Sequence, residues 1–390
     1  MDTFATKSRA RKTSPASTFQ RRNDGRYQVV LVLQGGGALG AYQAGVYEAL
    51  TEGGIEPDWV VGTSIGAING ALIAGNEPGL RIERLRSFWD SVTKSDPFGF
   101  LKAASVFGNT YANLDTMISG IPGFFEANPY AALASAAPVS IEKAAYYSTE
   151  PLRKTLETLV DFNYVNQRHT RLTVGAVNVR SSEMKYFDSR AMPLAADHIM
   201  ASGALPPAFP AVMIDDEPYW DGGIYSNTPI EVVLDDNPRC DSLIFSLNLW
   251  QPSGNDPRTI PEVTARQKDI QYASRGKSHV ARQQQIHRLR HVVRELAKHL
   301  PADRRDDPGI KELASYGCGT IMHLVRLLTP ALSGEDHTKD IDFTRSGIEA
   351  RWRAGYEHAA HVLARQPWEV DVDPLQGVVI HESSERMDER

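Results

Sequence analysis

The stretches LVLQGGGALGAYQAG at residues 31–45 and WVVGTSIGAINGALIAG at residues 59–75 decide the fold. Each begins in an apolar run, passes through a glycine-dense turn, GGGALG at 35–40 or GTSIG at 62–66, and continues as a small-residue helix. Glycine is costly in chain entropy, so such density marks backbone that bends sharply or approaches another group closely. Residues 27–33 form a β-branched, apolar run suited to a buried strand, and 41–50 read as the helix that follows. Residues 58–61 and 67–74 repeat the pattern, and further strands are expected at 172–179 and 243–249 with helices between them. Strand alternating with helix predicts a mainly parallel sheet covered on both faces, an α/β three-layer sandwich.

Length and composition agree with an enzyme-sized soluble chain. The 390 residues, 42% hydrophobic, bury a sizeable core, and the formal charge of -6 gives no bias toward nucleic acid. No apolar run reaches the roughly 18 residues of a membrane span, and the N-terminus lacks the apolar core of a signal peptide. A cytoplasmic location is therefore expected. Cys240 and Cys318 are too few for a disulfide framework or a structural zinc site. No metal and no organic cofactor is expected.

Residues 1–26 carry Lys7, Arg9, Arg11, Lys12, Arg21, Arg22 and Arg26 among Ser and Thr. They read as a disordered basic tail, with a weak anchor for anionic lipid or a targeting peptide as alternatives. Residues 27–250 are expected to form the catalytic domain. Within it, 97–147 breaks the rhythm with Phe98, Phe100, Phe107, Phe124, Phe125 and Tyr130 among small residues, as core of an extra subdomain or an apolar cap over a cleft. Residues 251–373 read as a helical C-terminal region and 374–390 as a flexible tail. In 261–300, Ile286, Leu289, Val293, Leu296 and Leu300 recur at helical spacing among Arg282, Arg288, Arg290, Arg294 and Lys298. That stripe packs on its own domain or a partner subunit, which leaves a homo-oligomer open, or it meets a membrane surface peripherally. Ser346 and Glu349 stand in capping-box spacing at the start of a last helix.

Three short clusters carry the chemistry. GTSIG matches the G-x-S-x-G nucleophile elbow, where a strained turn lifts a serine hydroxyl into the open, and it stands between strand and helix as that motif requires. Gly62 and Gly66 let the turn pass close to neighbouring backbone, and the new helix aims its free amides toward Ser64. GGGALG also satisfies G-x-G-x-x-G, but a dinucleotide site wants an acidic residue at the end of the second strand, where this chain has the serine elbow and places Asp58 at the strand's beginning. A glycine loop beside a nucleophilic serine suits oxyanion binding instead. In YWDGGIYSNTP, Asp221 leads a Gly-Gly turn and becomes a candidate base when coupled to the other two clusters.

Together these clusters resemble the patatin-like phospholipase family over about residues 29–229. The resemblance implies a serine acyl-ester hydrolase acting on fatty acyl esters of phospholipids or related lipids. It implies Ser64 as nucleophile and Asp221 as its partner in a dyad without histidine, with the Gly35, Gly36 and Gly37 loop supplying the oxyanion hole, chiefly through the amides of Gly36 and Gly37. SGALPPAFPAV at 202–212 looks like the helix and turn that such proteins carry before the aspartate turn. The family's loop often has a basic residue where this chain has Leu39. Two rivals remain. A Ser-His-acid triad on an α/β-hydrolase fold could draw on His279, His287 or His291, but their placement on the basic helix reads as solvated surface, and Ser64 falls early for that fold. His198 is the auxiliary candidate base. The second rival is a membrane-associated lipid-binding or scaffold protein with little catalysis.

Overall fold

Alternation of side chains along β1, Gln28–Leu33, sorts the interior into two halves. Val29, Leu31 and Leu33 enter one hydrophobic cluster with the helices α1 (Ala41–Glu52), α2 (Ile65–Ala74) and α3 (Pro78–Ser91). Val30 and Val32 enter the other, beneath the short helix Ile230–Leu234. A strand buried on both faces must be apolar throughout, which is why this run shows no polar alternation. The computed structural model describes residues 28–93, 120–332, 337–373 and 375–382, without the side chains of 274–277. The expected basic tail, the first part of the apolar insertion and the last residues of the chain lie outside the described residues.

The remaining sheet strands are β2 (Trp59–Thr63), β3 (Arg171–Asn178), β4 (Met184–Asp188), β5 (Val212–Ile214), β6 (Glu217–Asp221), β7 (Ser242–Asn248), β8 (Met322–Leu328) and β9 (Val378–Glu382). Their order is β9-β8-β7-β1-β2-β3-β6-β5, with β4 also paired to β3. The run from β9 to β3 is parallel, in register Leu31 opposite Val60 and Leu31 opposite Phe245, whereas β4, β5 and β6 pair antiparallel. The fold is thus an α/β three-layer sandwich around a mainly parallel sheet, with α4 (Ala196–Ser202) between β4 and β5.

The C-terminal third differs from its sequence reading. It holds the long helix α5 (Ile260–Lys298) and α6 (Arg345–Arg365), yet it also supplies β8 and β9, so the sheet continues into residues expected as a helical region and a flexible tail. β8 pairs along β7 from Met322 opposite Ser242 to Leu328 opposite Asn248, closing an edge that would otherwise stay unpaired. The face of α5 turned inward also differs. Val280, Gln283, His287 and His291 are buried, while Leu289 and Leu296 are 65% and 63% exposed. His287 and His291 are therefore not solvated surface: each places its Nε2 about one hydrogen bond from a backbone carbonyl, 2.9 Å from Leu234 O and 3.0 Å from Thr320 O. The cap of α6 is Thr344 rather than Ser346, its hydroxyl accepting from the Gly347 amide.

α6 lies against α1 so closely that glycine is required on both helices. A Cβ on Gly45 would fall 1.9 Å from the Trp352 carbonyl oxygen, and one on Gly355 would fall 2.1 Å from that of Tyr42. At this crossing Tyr42 Oη and His358 Nδ1 hydrogen-bond at 2.6 Å. Alanine at an unhindered helical glycine stabilises by about 1 kcal/mol. Here the backbone contact reverses that sign: Gly355→Ala is expected to destabilise by about 1–3 kcal/mol, read as a lower urea midpoint, and an unchanged or higher midpoint would show that the helices stand further apart.

Candidate active site

The GTSIG turn sits where β2 ends and α2 begins. Ser64 has φ 56 and ψ -126, a left-handed conformation costly for a side chain bearing a Cβ. The surroundings fix it. Its amide donates to Ser202 O at 3.1 Å and Ser202 Oγ at 3.0 Å, and Ser202 Oγ in turn donates to Gly175 O at 2.6 Å. Gly62 and Gly66 permit the turn, since a Cβ at Gly62 would lie 2.3 Å from Gly66 O and one at Gly66 would lie 2.2 Å from Leu33 O.

Asp221 closes β6 and is 2% exposed. Burial pushes its carboxyl up to about 6, opposed by hydrogen bonds from the Ser64 side chain and from the Gly223 amide, the latter 2.7 Å from Oδ1. The structure thus brings Ser64 and Asp221 together although they are far apart in sequence.

Above them runs the loop of Gly35, Gly36 and Gly37. The Gly35 amide donates to Asn227 O at 3.2 Å, and the Gly35 carbonyl accepts from Asn227 Nδ2 at 3.0 Å and Trp250 Nε1 at 2.7 Å. The Ala38 amide donates to Asp340 O at 2.9 Å. Gly36 and Gly37 pair with no acceptor among the described residues, so their amides are available to a ligand in the cleft that they line. Leu39 is buried in the core rather than turned to this cleft.

The cleft has a volume of about 310 Å³ and takes in Ser64, Asp221 and the glycine loop. Its walls are apolar and aromatic, with Phe125 and Phe209 each in ring contact with Phe124, with Tyr147 and with one another, and Phe343 against Phe124. The described end of the insertion is therefore cleft wall. Phe209 comes from the 202–212 segment, which also supplies Leu205 and Ala208.

None of the weighed histidines lines this cleft. His198 Nδ1 accepts from the Ala195 amide at 2.9 Å, its ring meets Phe187 edge-on, and burial lowers its affinity for a proton. It caps α4. Asp58 Oδ2 accepts the Val29 amide at 2.9 Å, a contact between strands rather than with a ribose. Among the described residues no group of three or more His, Cys, Asp or Glu side chains is placed to hold a metal ion. No helix among them is long and apolar enough to cross a membrane.

Sequence reasoning missed the braces of the loop. Gln34 Oε1 accepts from the amides of Leu249 and Trp250, and its Nε2 donates to Thr228 Oγ1 at 2.6 Å. Gln43, Asn69 and Trp89 continue this buried chain at 2.7 to 3.1 Å. The available signal was polar residues at core positions of otherwise apolar elements, which must be partnered if buried.

The family model described as patatin-like phospholipase matches residues 31–234, and a second, described as patatin phospholipase, matches 270–375. Lysophospholipase nte1 of Aspergillus terreus is 61% identical over 54 residues, 14% of this chain and 4% of that protein. Patatin-like phospholipase domain-containing protein 7 of Rattus norvegicus is 56% identical over 46 residues, 12% of this chain and 3% of its own. An uncharacterized NTE family protein of Mycobacterium tuberculosis is 45% identical over 80 residues, 20% of this chain and 13% of its own. The matched segments thus span only a small part of these relatives. Among solved structures, VipD from Legionella pneumophila aligns over 87% of this chain and 67% of its own at 14% identity, with a TM-score of 0.39 too low to carry an argument. With the first family model covering more than half of its residues, the chain belongs to the patatin-like phospholipase family.

Proposed function

We propose that the chain is a serine acyl-ester hydrolase that cleaves fatty acyl esters of phospholipids or related lipids through a Ser64–Asp221 dyad. The observation that carries this reading is Ser64, held at positive φ at the head of a helix, sharing one apolar cleft with a desolvated carboxylate and two unpaired glycine amides. Asp221 accepts the hydroxyl proton as Ser64 Oγ attacks the ester carbonyl. The amides of Gly36 and Gly37 bind the oxyanion, each such donor being worth on the order of 3 kcal/mol. Asp221 returns the proton to the leaving alcohol, takes one from the water that attacks the acyl-enzyme, and passes that proton to Ser64 Oγ as the acyl bond breaks, releasing the fatty acid and free Ser64. An ordinary aspartate is a weak base, and a carboxyl moved up to about 6 is better matched to this work near neutral pH. The aromatic wall supports an acyl chain as the group held beside Ser64.

A peripheral place on lipid, within the cytoplasm, belongs to the same proposal. Leu289 and Leu296 are exposed one heptad apart on α5, with Arg282 and Arg288 also exposed near them in sequence. An apolar stripe edged by cations suits an anionic bilayer surface.

Ser64→Ala is expected to abolish both ester turnover and labelling by a fluorophosphonate probe, and labelling that survives would remove Ser64 as nucleophile. Because catalysis needs the Asp221 carboxylate, kcat/KM should rise with pH through about 6. The same shift sets a stability cost. The folded chain holds this proton more tightly than the unfolded chain, so the penalty is absent below about pH 4, develops as pH climbs to about 6, and is complete above that. Asp221→Asn should therefore lose turnover while gaining about 1–3 kcal/mol in urea unfolding at pH 8, a gain that fades at acid pH; turnover retained by this variant would move the base elsewhere. Leu289→Glu with Leu296→Glu should reduce co-sedimentation with vesicles containing phosphatidylserine at least about tenfold, and equal sedimentation would clear this face of lipid contact.

A further inference from the structure

The segment before α6 crosses beside the glycine loop and is tied to α5 by two ion pairs of opposite polarity. Lys268 Nζ lies 2.7 and 2.9 Å from the two carboxylate oxygens of Asp340, and Lys339 Nζ lies 2.9 Å from Asp269 Oδ1. A Lys-Asp dipeptide on the helix thus meets a Lys-Asp dipeptide on the segment, each cation facing the other's anion. Neighbouring groups complete the arrangement. Lys268 also donates to His337 O at 3.1 Å, Asp269 Oδ1 accepts the Gln251 amide at 3.2 Å, and the Lys339 ammonium stands 5.4 Å from the centre of the Trp250 ring. The Lys339–Asp269 side chains are 11% and 12% exposed and the Lys268–Asp340 pair 31% and 20%, so water screens neither fully. A lone surface pair orders little. Two adjacent pairs on a rigid helix face define position as well as attraction.

What they position is the wall of the cleft. Asp340 uses its carboxylate for Lys268 and its backbone carbonyl for the Ala38 amide. Gly37 has φ +54, and a Cβ there would fall 2.2 Å from that same Asp340 oxygen, so loop and segment touch backbone to backbone. Trp250, under the Lys339 ammonium, donates its indole N–H to Gly35 O. The clasp therefore reaches both ends of the glycine loop.

We propose that Lys268, Asp269, Lys339 and Asp340 are positioning residues that hold Gly36 and Gly37 at the height where their amides meet the oxyanion. This rests on the acyl-hydrolase reading above. Asp340 takes up the Ala38 amide and sets the plane of the preceding peptides, while Trp250 and Asn227 fix Gly35. Reacting geometry tolerates little displacement: an error near 1 Å can cost about 100-fold in rate.

The test uses the full-length chain with Lys268→Asp, Asp340→Lys and the two combined, which restores opposite charges across the contact. Amide hydrogen exchange in residues 35–42, kcat and KM for p-nitrophenyl butyrate, and the urea midpoint are measured on each. Either single variant should speed exchange in 35–42 and lower kcat about tenfold with KM within about twofold, and the combined variant should recover both. Unchanged exchange in the single variants overturns the proposal. So does faster exchange with unchanged kcat, or a combined variant that regains its urea midpoint without regaining kcat. If wild type neither turns over esters nor labels at Ser64, the hydrolase reading fails, and exchange alone then decides whether the clasp holds the loop.

Discussion

Three loops from three strand ends meet at one glycine. A Cβ on Gly35 would lie 2.4 Å from Asn227 Oδ1 and 3.0 Å from Ser64 Cβ, so the glycine loop, the serine elbow and the turn after Asp221 close on one another only because that position has no side chain. The parallel sheet makes the meeting possible. β1 and β2 run side by side and end at the same edge, delivering their loops to one place, where α/β folds characteristically bind ligands. β6 reaches this region antiparallel through Ala176 opposite Asp221, which sets the carboxylate beside the elbow on the next strand pair.

The same convergence creates opposing demands. Packing three backbones together removes water from Asp221, and a carboxylate without water loses more than its two hydrogen bonds return, so its proton affinity rises. A site built for stability would replace that carboxylate. Ser64 carries a similar cost in its backbone angles, held by Ser202 through Gly175. The two residues proposed to react thus carry one cost in backbone angles and one in desolvation, while apolar helices on both faces of the sheet supply compensating burial.

Legibility in the sequence followed the range of the interactions. β1, the two glycine turns and the helices after them were readable because each is specified within a few residues by apolar runs, glycine and small side chains. Ser64 and Asp221 were readable as motifs. The partners of Ser202, Asn227 and Trp250 were not, although the first two lie in segments the sequence marks, because each hydrogen-bonds backbone distant in the chain and no local pattern announces such a partner. The basic helix misled for a related reason. Its leucine stripe has the spacing of a buried face, yet the side turned inward carries Gln283, His287 and His291, because carbonyls of Leu234 and Thr320 await donors there. An unpaired buried carbonyl is costly, and the two histidines supply donors that a leucine in their place could not.

The C-terminal third was the least legible part, and its role explains why. β8 and β9 each rely on a neighbouring strand for their hydrogen bonds, and neither runs directly into a glycine-dense turn as β1 and β2 do. α6 is defined by Gly355 fitting against Tyr42, a pairing that exists only once both helices are placed. Taken singly these segments look like an appendage. Placed on the sheet, they extend its edge, pack on the helix that follows the glycine loop, and set Asp340 O against the Ala38 amide. The Gly36 and Gly37 amides pair with no acceptor among the described residues, so the hydrogen bonds that order this loop come from its borders. Asn227 and Trp250 supply them at Gly35, and Asp340, from the distant end of the chain, supplies the one at Ala38.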